Sequence, residues 1–290
     1  MSLRQKIEAR QFALLGEFQP PKGADFSPLL QAANPVKGRL DAIVVPEMAQ
    51  AVLKASSLGG CAFLQRHGLE TVFQVCPRDR NRLALQADIL SAAALGIPNL
   101  MLVEGDDITL GDHIQARAVN DLDLSMLLAA VRNLQAGQDM AGISLTQPTR
   151  FFIGSAVDLG LADRLRDREL DQLKEMADSG VSFVITGPVF DVRQYKALME
   201  KVGPTPVAIL PTVLVLKSVG MAKYAERNIK NISIPPEVIR SMEKSPDRPR
   251  AGLQFAAELV RQLRDGGAAG VLISTRGWED RLPFILDAAR

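Results

Sequence analysis

Glu17, the acidic run Glu104-Gly105-Asp106-Asp107, and the pairs Thr186-Gly187 and Thr275-Arg276 place polar groups where apolar runs of this chain stop. Glu17 is the most specific of them. It closes Phe12-Ala13-Leu14-Leu15-Gly16 and is followed at once by Phe18-Gln19-Pro20-Pro21-Lys22. A carboxyl fixed between a buried run and a rigid Pro-Pro can have its pKa tuned by its surroundings, which is what a general acid needs. The other strand-end groups on this reading are Glu47, Gln74 to Arg78, Ser155 with Asp158, and Pro211-Thr212. Any one of these polar residues can simply meet solvent where a strand ends; their recurrence after successive runs is what points to a site.

The elements that must position these groups read as alternating strands and helices. Short, mostly branched apolar runs occupy Phe12 to Phe18, Ala42 to Val45, Thr71 to Val75, Leu100 to Val103, Phe151 to Ala156, Phe183 to Thr186, Val207 to Leu210 and Gly270 to Ser274. Their near-continuous apolar character predicts strands covered on both faces, as in parallel sheets. Helical periodicity predicts helices over Asn81 to Leu95 and Asp121 to Leu134. Eight strands alternating with helices over residues 1–290 give a single (β/α)8 barrel of the TIM type, with chemistry at the carboxyl ends of the strands. A doubly wound open sheet is the alternative, but no Gly-x-Gly-x-x-Gly follows an early strand.

Lys and Arg total 34 against 33 acids, so no global field favours nucleic acid or an anionic membrane, and a small-molecule partner is expected. No apolar run approaches the ~20 residues that cross a bilayer. The start, Met1-Ser2-Leu3-Arg4-Gln5-Lys6, lacks the apolar core of a signal peptide, and Cys61 and Cys76 are the only cysteines, which together predict a cytoplasmic protein. Cys61 reads as core packing in a helix, and Cys76 as a small buried side chain at a strand end or a contact to a cofactor. His67 reads as a helix C-terminal cap; neither it nor His113 reads as a metal ligand. Arg78-Asp79-Arg80-Asn81-Arg82 has two equal readings: forked anchors for a phosphate or carboxylate tail, or a solvated helix start in which Asp79 pairs with a neighbouring arginine.

An ordered set of motifs resembles the methylenetetrahydrofolate reductases, in particular the short form of acetogens and related anaerobes. It comprises Gly16-Glu17-Phe18-Gln19-Pro20-Pro21-Lys22-Gly23, Cys76 to Arg82 with Leu85-Gln86, and Leu95 to Asn99 leading into Gly105-Asp106. Leu110-Gly111-Asp112-His113, Asp121-Leu122-Asp123, Thr186 to Asp191 and Leu216-Lys217-Ser218 with Met221-Ala222 follow in order. The resemblance implies a flavoenzyme of one-carbon metabolism, with FAD or alternatively FMN, that reduces 5,10-methylenetetrahydrofolate to 5-methyltetrahydrofolate and feeds methionine biosynthesis. It implies that Glu17 is the acid that protonates the folate so that the bridging ring opens to an iminium cation, and that Asp106 stabilises that cation. Asp106 can also be read as an N-cap. By the same resemblance Gln74, Cys76, Arg80, Glu104, Gly105, Asp106, His113, Asn120 and Ser155 would hold the flavin, with Arg117 near the diphosphate. Glu17, Gly187, Phe190, Tyr224 and Arg276 would hold the folate. His113 and Tyr224 can equally be a surface residue and a core residue, respectively.

The chain departs from the family pattern at Pro46, Met48, Gln74, Gly187 and the Ser155 to Asp158 segment. Gly187 stands where relatives carry a glutamine. A different class of function, a flavin-free barrel that binds folate as a partner subunit or carrier module, is therefore the alternative. An aldolase-type barrel would need a Schiff-base lysine at a strand end; Lys217 is the nearest, and the sequence predicts it in a helix. NAD(P)H, ferredoxin or a partner protein, such as a zinc-containing subunit, could supply electrons. A homo-oligomer is compatible with the sequence.

Overall fold

The computed structural model describes residues 1–163, 165–228 and 231–290. Eight strands form a closed, all-parallel barrel in sequence order: β1 (Ala13–Glu17), β2 (Ala42–Val45), β3 (Thr71–Val75), β4 (Asn99–Leu102), β5 (Phe152–Val157), β6 (Phe183–Pro188), β7 (Ala208–Leu214) and β8 (Gly270–Ser274). The last strand closes on the first through Ala13 to Gly16 opposite Gly270 to Ile273. The predicted single barrel is thus the observed architecture.

The two predicted helices are Arg82–Ala94 and Leu124–Gln135, each starting after an Asn81 or Asp123 side chain that accepts an amide hydrogen bond. β6 and β7 run further than the sequence reading. That reading stopped at Thr186 and Leu210 because Gly187-Pro188 and Pro211 look like strand breakers. In the structure the register slips between Ile185 and Pro188, so the prolines fall at an irregularity of the β6–β7 ladder rather than ending it.

Two apolar layers hold the barrel. Between sheet and helices lies the larger cluster, with Phe18, Phe73, Leu85, Ile89, Leu127 and Val131 among its buried members. Inside the barrel, Leu15, Val44, Val72, Met101, Leu210 and Leu272 fill the lumen, and the rings of Phe152 and Phe183 stack at 5.4 Å. Gly154 makes room for that stack, because a Cβ there would come within 2.2 Å of the Phe183 ring. The amino-terminal end of the barrel is plugged by α1 (Leu3–Glu8), whose Leu3 is buried in the lumen cluster. The Leu3 amide donates to Glu70, just before β3, and Lys6 pairs with Asp41, just before β2. One end of the lumen is thereby sealed, and the opposite, carboxyl-end mouth is left for chemistry.

Among the described residues no helix is long and apolar enough to cross a membrane. Among them also, no group of three or more His, Cys, Asp and Glu side chains is placed to hold a metal ion.

Candidate active site at the barrel mouth

Glu17 is the last residue of β1, with only part of its surface reaching the mouth. Ser274, the last residue of β8, donates its hydroxyl to Glu17 Oε1 at 3.0 Å. Burial raises the Glu17 pKa above the usual carboxylate range. The Arg276 charge and the Ser274 hydrogen bond pull in the opposite direction, and the negative charges of Glu279 and Asp106 push it up further. Burial dominates, so Glu17 holds its proton to a higher pH than a free glutamate does. Thr275 beside Ser274 is fully buried, and its Oγ1 has no hydrogen-bond partner among the described residues.

At the ends of β2 and β3 a second carboxylate is buried, and it is structural. Glu47, 3% exposed, accepts from Arg80 Nη2 at 2.8 Å and from the Ser57 amide at 2.7 Å. Its own amide donates to Gln74 Oε1 at 2.8 Å, and the Gln74 amide donates to the Ser57 hydroxyl at 3.1 Å. Arg80 also pairs with Asp88 through Nε at 3.2 Å, while its Nη1 is buried without a partner among the described residues. Burial raises the Glu47 pKa, against the lowering charge of Arg80.

The charged cluster after β3 divides: Asn81 and Arg82 are the exposed start of the helix Arg82–Ala94, whereas the arginine that pairs with Asp79 is buried. Arg78 is 4% exposed and forks onto Asp79 at 2.8 and 2.7 Å; its Nη1 donates to the Asp106 carbonyl at 2.9 Å. The arginine–Asp79 pairing is as read from the sequence, but its setting is buried. Cys76 donates its thiol to the Glu104 carbonyl at 3.3 Å and packs under Gly105. Burial pushes the Cys76 thiol up to about 11 and the Cys61 thiol to about 12.

The loop after β4 is sewn to the loop after β2. The Gln50 amide donates to Asp106 Oδ2 at 2.6 Å, and the Leu53 amide donates to Asp112 Oδ1 at 3.0 Å. Lys22, from the loop after β1, pairs with the same Asp112. Met48, Gln50 and Ala51 all take positive φ in this turn (41°, 59° and 55°), a strained conformation for side chains with a Cβ. The N-cap reading of Asp106 is corrected here. Asp107 caps the following turn by accepting from the Thr109 amide, which leaves the Asp106 carboxylate facing the β2 loop. Glu104, Gly105 and Asp106 are exposed, as are His113 and Asn120; Asn120 has φ 47°.

Around the other half of the mouth, Ser155 is buried and donates to the Leu102 carbonyl at 2.9 Å. Thr212 donates to the Thr186 carbonyl at 2.7 Å. Gly187 lies inside β6 and borders a small cavity that it shares with Asp158, Thr186, Gln194 and Asn231. A Cβ at Gly187 would sit 3.7 Å from Asp158 Oδ1, an ordinary van der Waals contact.

Three sequence expectations are corrected by placement. Phe190 is 2% exposed inside the apolar cluster formed by Leu214, Leu216, Ala222 and Ala225, with no face left for a ligand. Tyr224 is 65% exposed on the helix Val219–Asn228, so it is not core. Lys217 is not helical: it lies in the loop after β7, where its ammonium donates to the Arg276 carbonyl. His67, by contrast, does terminate the helix Ser57–Arg66, and its Nδ1 lies 2.8 Å from the Phe63 carbonyl.

A family model described as methylenetetrahydrofolate reductase matches residues 2–289. The chain belongs to the methylenetetrahydrofolate reductase family. No curated protein sequence matches it. Among solved structures it is similar, at 13% identity and a TM-score of 0.65, to a protein of Clostridium thermocellum described as uncharacterized and as binding two copies of 5-methyl-5,6,7,8-tetrahydrofolic acid. The likeness covers 99% of this chain and 97% of that one and shows a shared fold.

Flavin is the cofactor expected in such a family, and the positions read for it can be tested by where their polar atoms go. Gln74, Cys76 and Ser155 are engaged within the protein. Arg80 keeps one unpartnered N–H, and His113 and Asn120 are exposed. Exposed carboxylates at Glu104 and Asp106 stand between these groups in the chain and oppose a diphosphate. Of the side chains read for the flavin, Arg80, His113 and Asn120 are thus the ones with donors left to offer it.

Proposed function

We propose that the protein binds a reduced folate at the carboxyl-end mouth of the barrel and that Glu17 is the group that gives the folate its proton. The single observation that carries this reading is the Glu17 carboxyl, raised in pKa by burial and steadied by Ser274 while part of its surface still meets the mouth. A carboxyl that keeps its proton to higher pH can donate where an ordinary glutamate has already lost its proton. In the reaction of the family, protonating 5,10-methylenetetrahydrofolate at the nitrogen that leaves opens the bridging ring and yields an iminium cation ready for hydride. On this reading Asp106, whose negative charge acts on Glu17, stabilises that cation. Arg276, exposed in the turn after β8, suits the carboxylate tail of the folate.

A second reading is favoured by the inward-turned polar atoms of Gln74, Cys76 and Ser155: a flavin-free barrel that binds folate as a partner subunit or carrier module. The Clostridium thermocellum protein described as binding 5-methyltetrahydrofolic acid has the same fold and agrees with folate binding under either reading. Titrating the protein with FAD and FMN by visible absorbance, and with 5-methyltetrahydrofolate by calorimetry, separates the cases. A yellow protein that binds folate supports the reductase. A colourless one that binds folate supports the second reading. Absence of folate binding overturns both.

A further inference from the structure

Arg78, buried below the mouth, joins the loops after β2 and β4. Its Nε and Nη2 fork onto Asp79 at 2.8 and 2.7 Å, which fixes the plane of the guanidinium. The remaining N–H groups of that plane meet backbone: Nη1 donates to the Asp106 carbonyl at 2.9 Å, and Nη2 reaches the Met48 carbonyl at 3.5 Å. The Arg78 carbonyl accepts from the Val119 amide at 2.7 Å, so the same residue touches both the start and the end of the loop after β4. The Met48 carbonyl belongs to the turn in which Met48, Gln50 and Ala51 are left-handed, and it also accepts from the Ala51 amide at 2.9 Å. Residues with a Cβ keep such a conformation only where their surroundings hold it. Arg78 holds this turn from below, and Gly111 packs against it so closely that a Cβ there would come within 2.1 Å of the Ala51 carbonyl. The turn in its place directs the Gln50 amide onto Asp106 Oδ2 at 2.6 Å. Asp106 is thus held at two points, its carbonyl by Arg78 and its carboxylate by a turn that Arg78 supports.

We propose that Arg78 is a positioning residue for the Asp106 carboxylate: by holding the Asp106 and Met48 carbonyls it sets both the exposed acid and the left-handed turn whose Gln50 amide orients it. The planar fork is what the task needs, because one guanidinium serves Asp79 and two carbonyls at once, where a point charge on a flexible stem would not. With the fork removed, the loops after β2 and β4 lose their shared anchor and the Asp106 carboxylate loses its fixed direction. The role in catalysis rests on Asp106 being the group that stabilises the folate cation, but the positioning itself does not.

Hydrogen exchange of the Gln50 amide, read by NMR in the full chain, tests this. Asp106→Ala and Arg78→Met are each expected to speed it about 10-fold, as loss of a hydrogen bond to a charged group would, and the two together to speed it no further. The Leu14 amide, which donates to Asp41 Oδ2 at 2.7 Å near the opposite end of the barrel, is expected to keep its rate. Arg78→Met with Asp79→Leu, which removes the buried pair as a pair, gives the same readout if the single variant does not fold. An unmoved Gln50 amide in the Arg78 variants, or an equal acceleration at Gln50 and Leu14, overturns the proposal. Turnover of 5,10-methylenetetrahydrofolate and binding of 5-methyltetrahydrofolate by the same variants judge the catalytic part. Faster exchange at Gln50, with turnover down about 10²-fold and folate affinity kept, upholds both parts. Faster exchange with turnover unchanged or absent upholds the positioning and overturns the folate role of Asp106. An unmoved Gln50 amide with turnover lost only in Asp106→Ala does the reverse.

Discussion

The hydroxyl of Ser274 meets the carboxyl of Glu17 at 3.0 Å across the seam where the last strand closes on the first. The two residues are 257 positions apart, so the acid is set by completion of the barrel and not by any local turn. Glu17 is consequently buried before it is functional, and its raised pKa follows from the fold.

That raised pKa has a stability consequence whose sign is fixed. A carboxyl with a folded pKa above its unfolded value contributes stability below the unfolded pKa and loses it as pH rises through the folded one. Glu17→Gln, neutral at every pH, is expected to gain on the parent as pH rises over that window in urea unfolding. A constant difference between the two proteins would show that Glu17 titrates normally.

The buried Arg80–Glu47 pair predicts a larger effect. Glu47→Ala leaves Arg80 Nη2 and the Ser57 amide without their acceptor while Arg80 keeps Asp88, so the cost should fall at the low end of that for breaking a buried pair, about 3 kcal/mol. Replacing both partners, as Glu47→Leu with Arg80→Met, is expected to recover much of that loss. Urea midpoints of the single and double variants check this.

Gly105 is expected to tolerate no side chain. It has φ 87°, and a Cβ would come within 2.3 Å of the Cys76 sulfur. Gly105→Ala should cost about 1–3 kcal/mol from the backbone alone. In the Cys76→Ala background the added cost should shrink without vanishing, because the clash goes and the strained φ stays. Thermal unfolding of the four proteins measures both parts.

Cys61 and Cys76, with thiols held at about 12 and about 11, are expected to resist thiol reagents in the native state near neutral pH and to react fully in denaturant. Rapid native labelling would mean that the loop after β4 opens over Cys76.

The strands were legible because each apolar run is bounded by glycine, proline or an acid, and Glu17 was legible because its run ends in Pro-Pro. Other features depend on distance in space. The Arg80–Glu47 pair arises from neighbouring β2 and β3, so residues read separately as a cofactor ligand and a strand-end acid prove to be partners. The α1 plug is not legible in the sequence because Leu3 and Ile7 are too few to announce a buried face. Lys217 was misplaced because β7 continues through Pro211, which carries the following segment out of the predicted helix.

Delivery of the folate's proton by Glu17 is tested by comparing Glu17→Gln with the parent in turnover of 5,10-methylenetetrahydrofolate and in binding of 5-methyltetrahydrofolate. The expected result is a loss of about 10²–10⁴-fold in turnover with folate affinity largely kept. A Gln variant that reduces methylenetetrahydrofolate as fast as the parent would contradict the account.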